Sequence, residues 1–357
     1  MSLGLALSCR RLAVAGGLAM LATTTAGWDH ADAARSGARA PAKATTHTTA
    51  AKGAKGRHAA HKRPIHGPNY HPPYAAIVID DNSGQVLHEE NADEPRHPAS
   101  LTKIMTLYLL FEQIEAGKLK LDTPLSISAF AAGQNPTKLN LKANQTILVE
   151  DAIKGLVTKS ANDAAVVVAE AIGGTEADFG VLMTAKARAL GMAGTTYVNA
   201  SGLPADEQIT TARDQALLGR AIQDRFPLYY RYFSTPSFHY KGREHHNHNA
   251  LLGNVEGVDG IKTGYTEASG YNLVASVRRN GKHIVAVVLG GTSNAKRDAR
   301  MRDLITQTIP AAATQKTTPK VAETHDRAAA NMLGRRTLTS TRSPVKITGR
   351  EYVRAGA

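Results

Sequence analysis

Three short groups of residues follow one another along the chain: Ser100-Leu101-Thr102-Lys103, Ser160-Ala161-Asn162 and Lys262-Thr263-Gly264. On a helix, positions i and i+3 share a face, so Lys103 reaches the hydroxyl of Ser100 from one turn away. A serine hydroxyl is a poor nucleophile until a base takes its proton. A lysine can be that base only if desolvation or a nearby cation brings its pKa well below the model value of about 10.4. Lys262 is a cation that a sheet could carry there, and the first turn of the helix favours negative charge developing on bound substrate. The chemistry in view is nucleophilic catalysis by Ser100 with Lys103 as base.

Each group also has a plainer reading. Ser160 to Asp163 fits an S-x-x-D capping box, Ser100 a helix N-cap, Lys262 a solvated strand lysine and Gly264 a bulge. The S-x-x-K pattern recurs at Ser293 to Lys296 and Ser343 to Lys346, whereas S-x-N and K-T-G each occur once. Only Ser100 precedes both of the others, and it follows Pro98 at the opening of an apolar helix. The ordered triplet, rather than any member, carries the information.

The elements that must position these groups are mixed. Ala75 to Asp80 (AAIVID), a turn at Asp81 to Gly84 and Gln85 to Glu89 form a hairpin signal. Tyr271 to Val277 and His283 to Leu289 form another, joined through Asn280-Gly281, the dipeptide a tight primed turn prefers. Helical spacing covers Leu101 to Ala116, Val149 to Thr158, Asp163 to Ile172, Glu176 to Leu190, Arg213 to Phe226 and Ala295 to Ile309. Strands at both ends with helices between predict one antiparallel sheet built from the two ends, with a helical insertion packed against it.

The chain has 357 residues, a single cysteine and a formal charge of +13, which at first sight suggests an anionic partner such as nucleic acid. That charge is unevenly spread. Residues 34–71 hold eight basic and no acidic residues, and residues 311–357 hold nine basic and three acidic, whereas residues 72–310 sum to −1. Residues 1–33 read as a secretory signal: Arg10 and Arg11, the apolar run Leu12 to Ala26, and an A-x-A pattern at Ala31-Asp32-Ala33. Export to the periplasm or cell envelope argues against a nucleic-acid partner, and cleavage would remove Cys9, leaving no thiol. Residues 34–71 are expected to be a disordered basic linker, 72–310 the catalytic domain and 311–357 a mostly disordered basic tail. The cluster His239, His245, His246 and His248 invites a metal reading, and the irregularly spaced histidines of residues 34–71 at most weak adventitious binding.

Arg96 to Thr106 (RHPASLTKIMT) closely resembles the nucleophile region of D-alanyl-D-alanine carboxypeptidases, the low-molecular-mass penicillin-binding proteins of serine peptidase family S11. So do Gly155 to Ala165 (GLVTKSANDAA), Thr211 to Leu218 (TARDQALL) and Asp259 to Leu273 (DGIKTGYTEASGYNL). The resemblance implies an α/β (α+β) architecture of the β-lactamase/penicillin-binding-protein transpeptidase type, with a five-stranded antiparallel sheet flanked by helices and a helical lobe. It implies that Ser100 forms an acyl-enzyme with Lys103 as base and that Ser160 relays the proton to the leaving amine. Asn162 would contact the substrate amide, and Lys262 and Thr263, ahead of Gly264, the terminal carboxylate of a D-Ala-D-Ala peptide. Backbone N–H groups of Ser100 and Tyr265 would form the oxyanion hole. Asn247 to Leu252 resembles the family's N-x-N-x-L-L segment, and no metal or cofactor is implied. The implied partners are peptidoglycan peptide stems and β-lactams, with the basic flanks free to contact anionic lipid or wall polymer. Three alternatives stand beside this reading: a D,D-endopeptidase of the same family, a β-lactamase, and a non-catalytic basic wall-binding protein. Between Ser160 and Lys262 no Glu is followed four residues on by Asn, so the deacylating Glu of class A β-lactamases has no counterpart.

Overall fold

The computed structural model describes residues 70–324. The signal segment, the linker up to residue 69 and the tail from residue 325 lie outside the described residues. In chain order come β1 (Ala75–Asp80), β2 (Val86–Glu90), a 3-10 turn at Ala99–Leu101 and α1 (Thr102–Glu115). Next are β3 (Pro124–Ser126), α2 (Ala129–Ala132), β4 (Thr146–Leu148), α3 (Val149–Val157), α4 (Asn162–Gly173) and α5 (Glu176–Ala189). Then follow α6 (Ala212–Arg225), α7 (Pro227–Tyr230), β5 (Ser237–Tyr240) and β6 (Arg243–His246). The chain closes its sheet with β7 (Val258–Thr266), β8 (Gly270–Arg279) and β9 (Lys282–Gly291), before α8 (Asn294–Thr308).

The central sheet has five antiparallel strands in the order β2-β1-β9-β8-β7, so β1 from one end of the fold pairs with β9 from the other. The reason lies in the side-chain alternation of β1 and β9. Successive residues of a strand point to opposite faces, and here each face has its own apolar cover. Ile77 and Ile79 with Val285, Val287 and Leu289 join a core shared with α1, α4 and α6. Ala76 and Val78 with Ile284, Ala286 and Val288 join a second core with Met301, Leu304 and Ile305 of α8. A strand buried on both faces reads as a continuous apolar run, as AAIVID and HIVAVVL do. Each fully buried Val, Ile or Leu stabilises the fold by roughly 1.5–3 kcal/mol. The turn between β8 and β9 is made by Asn280 at φ 51° and Gly281 at φ 78°, both in the left-handed region that a primed hairpin turn requires.

Helix starts are set by side-chain caps: Thr175 accepts from the Asp178 N–H, Thr211 from the Asp214 N–H and Ser293 from the Lys296 N–H. The S-x-x-K copy at Ser293 is therefore a helix cap. Past Pro310 the chain continues to pack as far as residue 324, within the segment 311–357 expected to be mostly disordered. Asn82 O accepts from the backbone of Thr317 and Thr318, Lys316 bonds Asp81 and Asp224, and Glu323 accepts from Tyr108 and Lys186. Two charged side chains answered by buried partners anchor this strap where composition alone gave no apolar pattern.

Candidate active site

Pro98 leads into the 3-10 turn that carries Ser100 and runs on into α1, so Lys103 stands one turn beyond the hydroxyl, with 2.9 Å between its Nζ and Ser100 Oγ. The turn is held from three sides. Asn272 of β8 donates to the carbonyls of His97 and Pro98. Gly264 of β7 passes so close that a Cβ there would stand 3.0 Å from Ser100 N, and one on Gly202 would meet Ala99 O at 1.8 Å. Ala99 itself is held at φ 49°, a strained position of the kind found at functional sites. Gly202 (φ +84°) and Gly264 are thus required by close approach to the nucleophile's turn.

Lys103 is fully buried, and besides Ser100 Oγ its amine meets Asn162 Oδ1 at 2.7 Å and Ser201 O at 2.5 Å. Burial first, and then the like charge of Lys262, hold its pKa well below the usual lysine value, against the opposing pull of Asp163 and Glu176. A neutral amine has two N–H donors and one lone pair. The two carbonyl oxygens can only accept, so they take both donors, and the lone pair is left to Ser100, whose hydroxyl then donates to it. This is the arrangement of a nucleophile and its base.

Ser160 occupies the junction of α3 and α4 at φ 59°. The capping reading does not hold: Ala161 is the N-cap of α4, with no side-chain cap bond. Asp163 turns away from a cap and accepts instead from the backbone N–H groups of Leu139, Leu141 and Ala164, tying the 135–141 loop to the helix. Ser160 Oγ is buried without a hydrogen-bond partner among the described residues, and buried polar groups left so are uncommon enough to call for a role. Asn162 gives one N–H to Asn135 O and keeps a second for a ligand.

Lys262 lies on β7, 2% exposed, donating to Thr263 O, and is no solvated strand lysine. Burial, then Arg297, lower its pKa to about 7. Thr263, Gly264 and Tyr265 line a cleft of about 540 Å³ together with Ser100, Ser160 and Asn162. The structure therefore brings seven of the eight residues singled out by sequence to one cleft or directly behind it, and Tyr265 to its rim. The Tyr265 ring is 55% exposed and lies 4.3 Å from that of Tyr271.

Sequence reasoning missed Arg297 and the role of His248, both of which line the cleft. Arg297 shares the buried face of α8 with Met301, Leu304 and Ile305. A basic residue at an apolar-face position was the available signal. Its guanidinium is fixed by Asp298 and Asn294. His248 is held over the cleft because Asn249 donates to Gly260 O of β7 and its N–H reaches Asn247 Oδ1. Burial, then the charges of Lys262, Lys159, Lys103 and Arg297, push His248 down to about 4. The imidazole is neutral at neutral pH, and the field around it favours an anion. Among the described residues, no group of three or more His, Cys, Asp or Glu is placed to hold a metal ion.

A five-stranded antiparallel sheet with helices on both faces, carrying a serine–lysine pair at the start of a helix beside a K-T-G strand, defines the serine acyl-enzyme fold of penicillin-binding proteins. Residues 65–293 match the model of the Peptidase S11 family, D-alanyl-D-alanine carboxypeptidase, and the chain belongs to that family. It is 39% identical over 237 residues to the D-alanyl-D-alanine carboxypeptidase DacA of Escherichia coli K12, covering 64% of this chain and 59% of that protein. It thus spans under two thirds of that relative's length. Among solved structures it is similar to the D-alanyl-D-alanine carboxypeptidase DacD of Francisella tularensis, with TM-score 0.63, 34% identity and coverage of 70% of this chain and 73% of that one. It also resembles penicillin-binding protein D2 of Listeria monocytogenes in the ampicillin-bound form, with TM-score 0.58, 33% identity and coverage of 66% and 96%.

Proposed function

We propose that the protein is a serine-type D-Ala-D-Ala carboxypeptidase that removes the terminal D-Ala from peptidoglycan pentapeptides and is inhibited by β-lactams. The observation that carries this reading is the Lys103 amine, buried and engaged by Asn162 Oδ1 and Ser201 O so that its lone pair is left for Ser100. Ser100 Oγ attacks the carbonyl of the penultimate D-Ala as its proton passes to Lys103. Ser160, whose hydroxyl has no hydrogen-bond partner among the described residues, relays that proton to the departing D-Ala amine, and water then cleaves the ester. Backbone N–H groups of Ser100 and Tyr265 receive the oxyanion; one such donor contributes about 2.7–4 kcal/mol to the transition state. Lys262 and Thr263, with Arg297 on the cleft wall, take the terminal carboxylate, and Asn162 the substrate amide.

Incubation with uncrosslinked pentapeptide and with cross-linked muropeptides tests the assignment. Released D-Ala from the pentapeptide, in excess over monomers released from the cross-links, is the expected outcome. The reverse would make the protein a D,D-endopeptidase, and rapid turnover of penicillin would make it a β-lactamase.

The site of action proposed is the cell envelope, reached through the signal at residues 1–33, with the basic segments 34–71 and 311–357 as electrostatic tethers to anionic lipid or wall polymer. Among the described residues no helix is long and apolar enough to cross a membrane. Deleting residues 34–71 and 325–357 together is expected to release the enzyme from envelope fractions at low salt. Retention equal to that of the full chain would remove the tethering role.

A further inference from the structure

Asn272 of β8 is fully buried, and its side chain makes three hydrogen bonds outside the strand ladder. It stands opposite Gly264 of β7, so the two residues share the face of the sheet on which the Ser100 turn lies. The glycine lets that turn come down onto the sheet, and the asparagine holds it there. Asn272 Nδ2 donates to His97 O at 3.0 Å and to Pro98 O at 3.2 Å, which uses both of its hydrogens. On the other side Oδ1 accepts from the Gly290 N–H at 3.0 Å. The β8–β9 register slips at this point, from Tyr271 opposite Gly291 to Leu273 opposite Val288, so that Leu289 and Gly290 face Asn272 alone. The N–H of Gly290 can only donate, so it fixes which way the amide points: oxygen to β9, nitrogen to the turn.

The two carbonyls held in this way belong to the peptides on either side of Pro98. They lead directly into Ala99 at φ 49° and the Ser100 N–H. Such a conformation persists in an alanine only where the surroundings over-determine it, and Pro98 has no N–H of its own to help. The torsions of Ala99 set the plane of the next peptide, and hence the direction of the Ser100 N–H. We infer that Asn272 is a positioning residue for the oxyanion hole: by pinning the His97 and Pro98 carbonyls to the β8–β9 bulge, it keeps Ala99 left-handed and aims the Ser100 N–H into the cleft. The inference deepens the acyl-enzyme reading of Ser100 and rests on it. Packing alone would be served by an apolar residue, as at Val274 on the same face two residues on. A donor held in place beforehand costs no reorganisation when charge develops on the substrate oxygen.

Two variants test this. Asn272→Asp keeps the size and the acceptor for Gly290 but turns an oxygen toward the two carbonyls, and Asn272→Ser withdraws the donors without adding charge. Acylation by benzylpenicillin, followed by mass spectrometry at several concentrations, separates the rate constant at saturation from the half-saturating concentration. In either variant the rate constant is expected to fall by about 10²-fold, the scale of losing one oxyanion donor, with the half-saturating concentration little changed. The infrared band of the acyl-enzyme ester carbonyl should move to higher frequency, because a misaimed donor polarises that carbonyl less. A residue that only supported the fold would lower the thermal midpoint and the fraction of enzyme that labels. The rate constant of the labelled fraction and the carbonyl band would then match wild type, and that result would overturn the inference. Either variant suffices for the comparison should the other fail to fold. Wild type that takes no label from penicillin would overturn the acyl-enzyme reading itself, whereas wild type and variants that acylate alike remove the role of Asn272 alone.

Discussion

Ser100→Ala is expected to abolish covalent labelling by fluorescent penicillin, and Lys103→Met to slow acylation by about 10²–10⁴-fold, the usual range for loss of a general base. The methionine keeps an unbranched apolar stem inside a fully buried site but leaves Asn162 Oδ1 and Ser201 O without the donor they now share. Ser100 would lose its proton acceptor at the same time. The double variant, which lacks the same hydroxyl, should likewise take no label. Ser293→Ala serves as control: it removes the cap of α8 from the same S-x-x-K pattern and should cost about 1 kcal/mol of stability without touching acylation. Mass spectrometry of the acyl-enzyme over time measures all four proteins. A Lys103→Met rate close to wild type would show that another group takes the Ser100 proton.

The contrast between Ser100 and Ser293 also marks how far local pattern carries. Both sit at a helix start three residues before a lysine, and only Ser100 has the neighbours from Ser201, Asn162 and β7 that leave a lysine lone pair facing its hydroxyl. The long helices and the strands β1, β8 and β9 were legible because each carries its apolar pattern over six or more residues, and β2 because it follows β1 through a turn signal. The strands β3 to β6 are three or four residues long, too short for any period to register. Ser160 misled on its own because a capping box and a catalytic S-x-N have the same letters. The left-handed backbone at Ser160, which hands the cap position to Ala161, is set by packing rather than by residue type. The 311–324 strap was hidden for a related reason: a buried charge is recognised by its partner, and Asp81 and Asp224 become partners of Lys316 only in three dimensions, whereas Arg297 is held by its own helix neighbours Asp298 and Asn294, which say nothing of the cleft it faces.

Lys262 has two duties that a pH profile can separate. In the proposed function its ammonium binds the substrate carboxylate, and its charge also helps keep Lys103 neutral. Acylation requires Lys103 unprotonated, so activity is lost as pH falls through the lowered Lys103 pKa. Binding requires Lys262 protonated, so activity is also lost as pH rises through its own pKa, which is about 7 in the empty cleft. A bound carboxylate favours the ammonium and raises that value. The alkaline limb of kcat/KM, which reports the free enzyme, should therefore lie below the alkaline limb of kcat. Lys262→Met is expected to lower kcat/KM for the peptide by about 10²-fold, within the range for truncating one partner of a buried charge pair. It should also move the acid limb to higher pH, because the like charge opposing protonation of Lys103 is gone. Lys262→Arg restores a charge that does not titrate below about pH 12, so the acid limb should return and the alkaline limb disappear. An alkaline limb that persists unchanged in the arginine variant would assign it to a group other than Lys262.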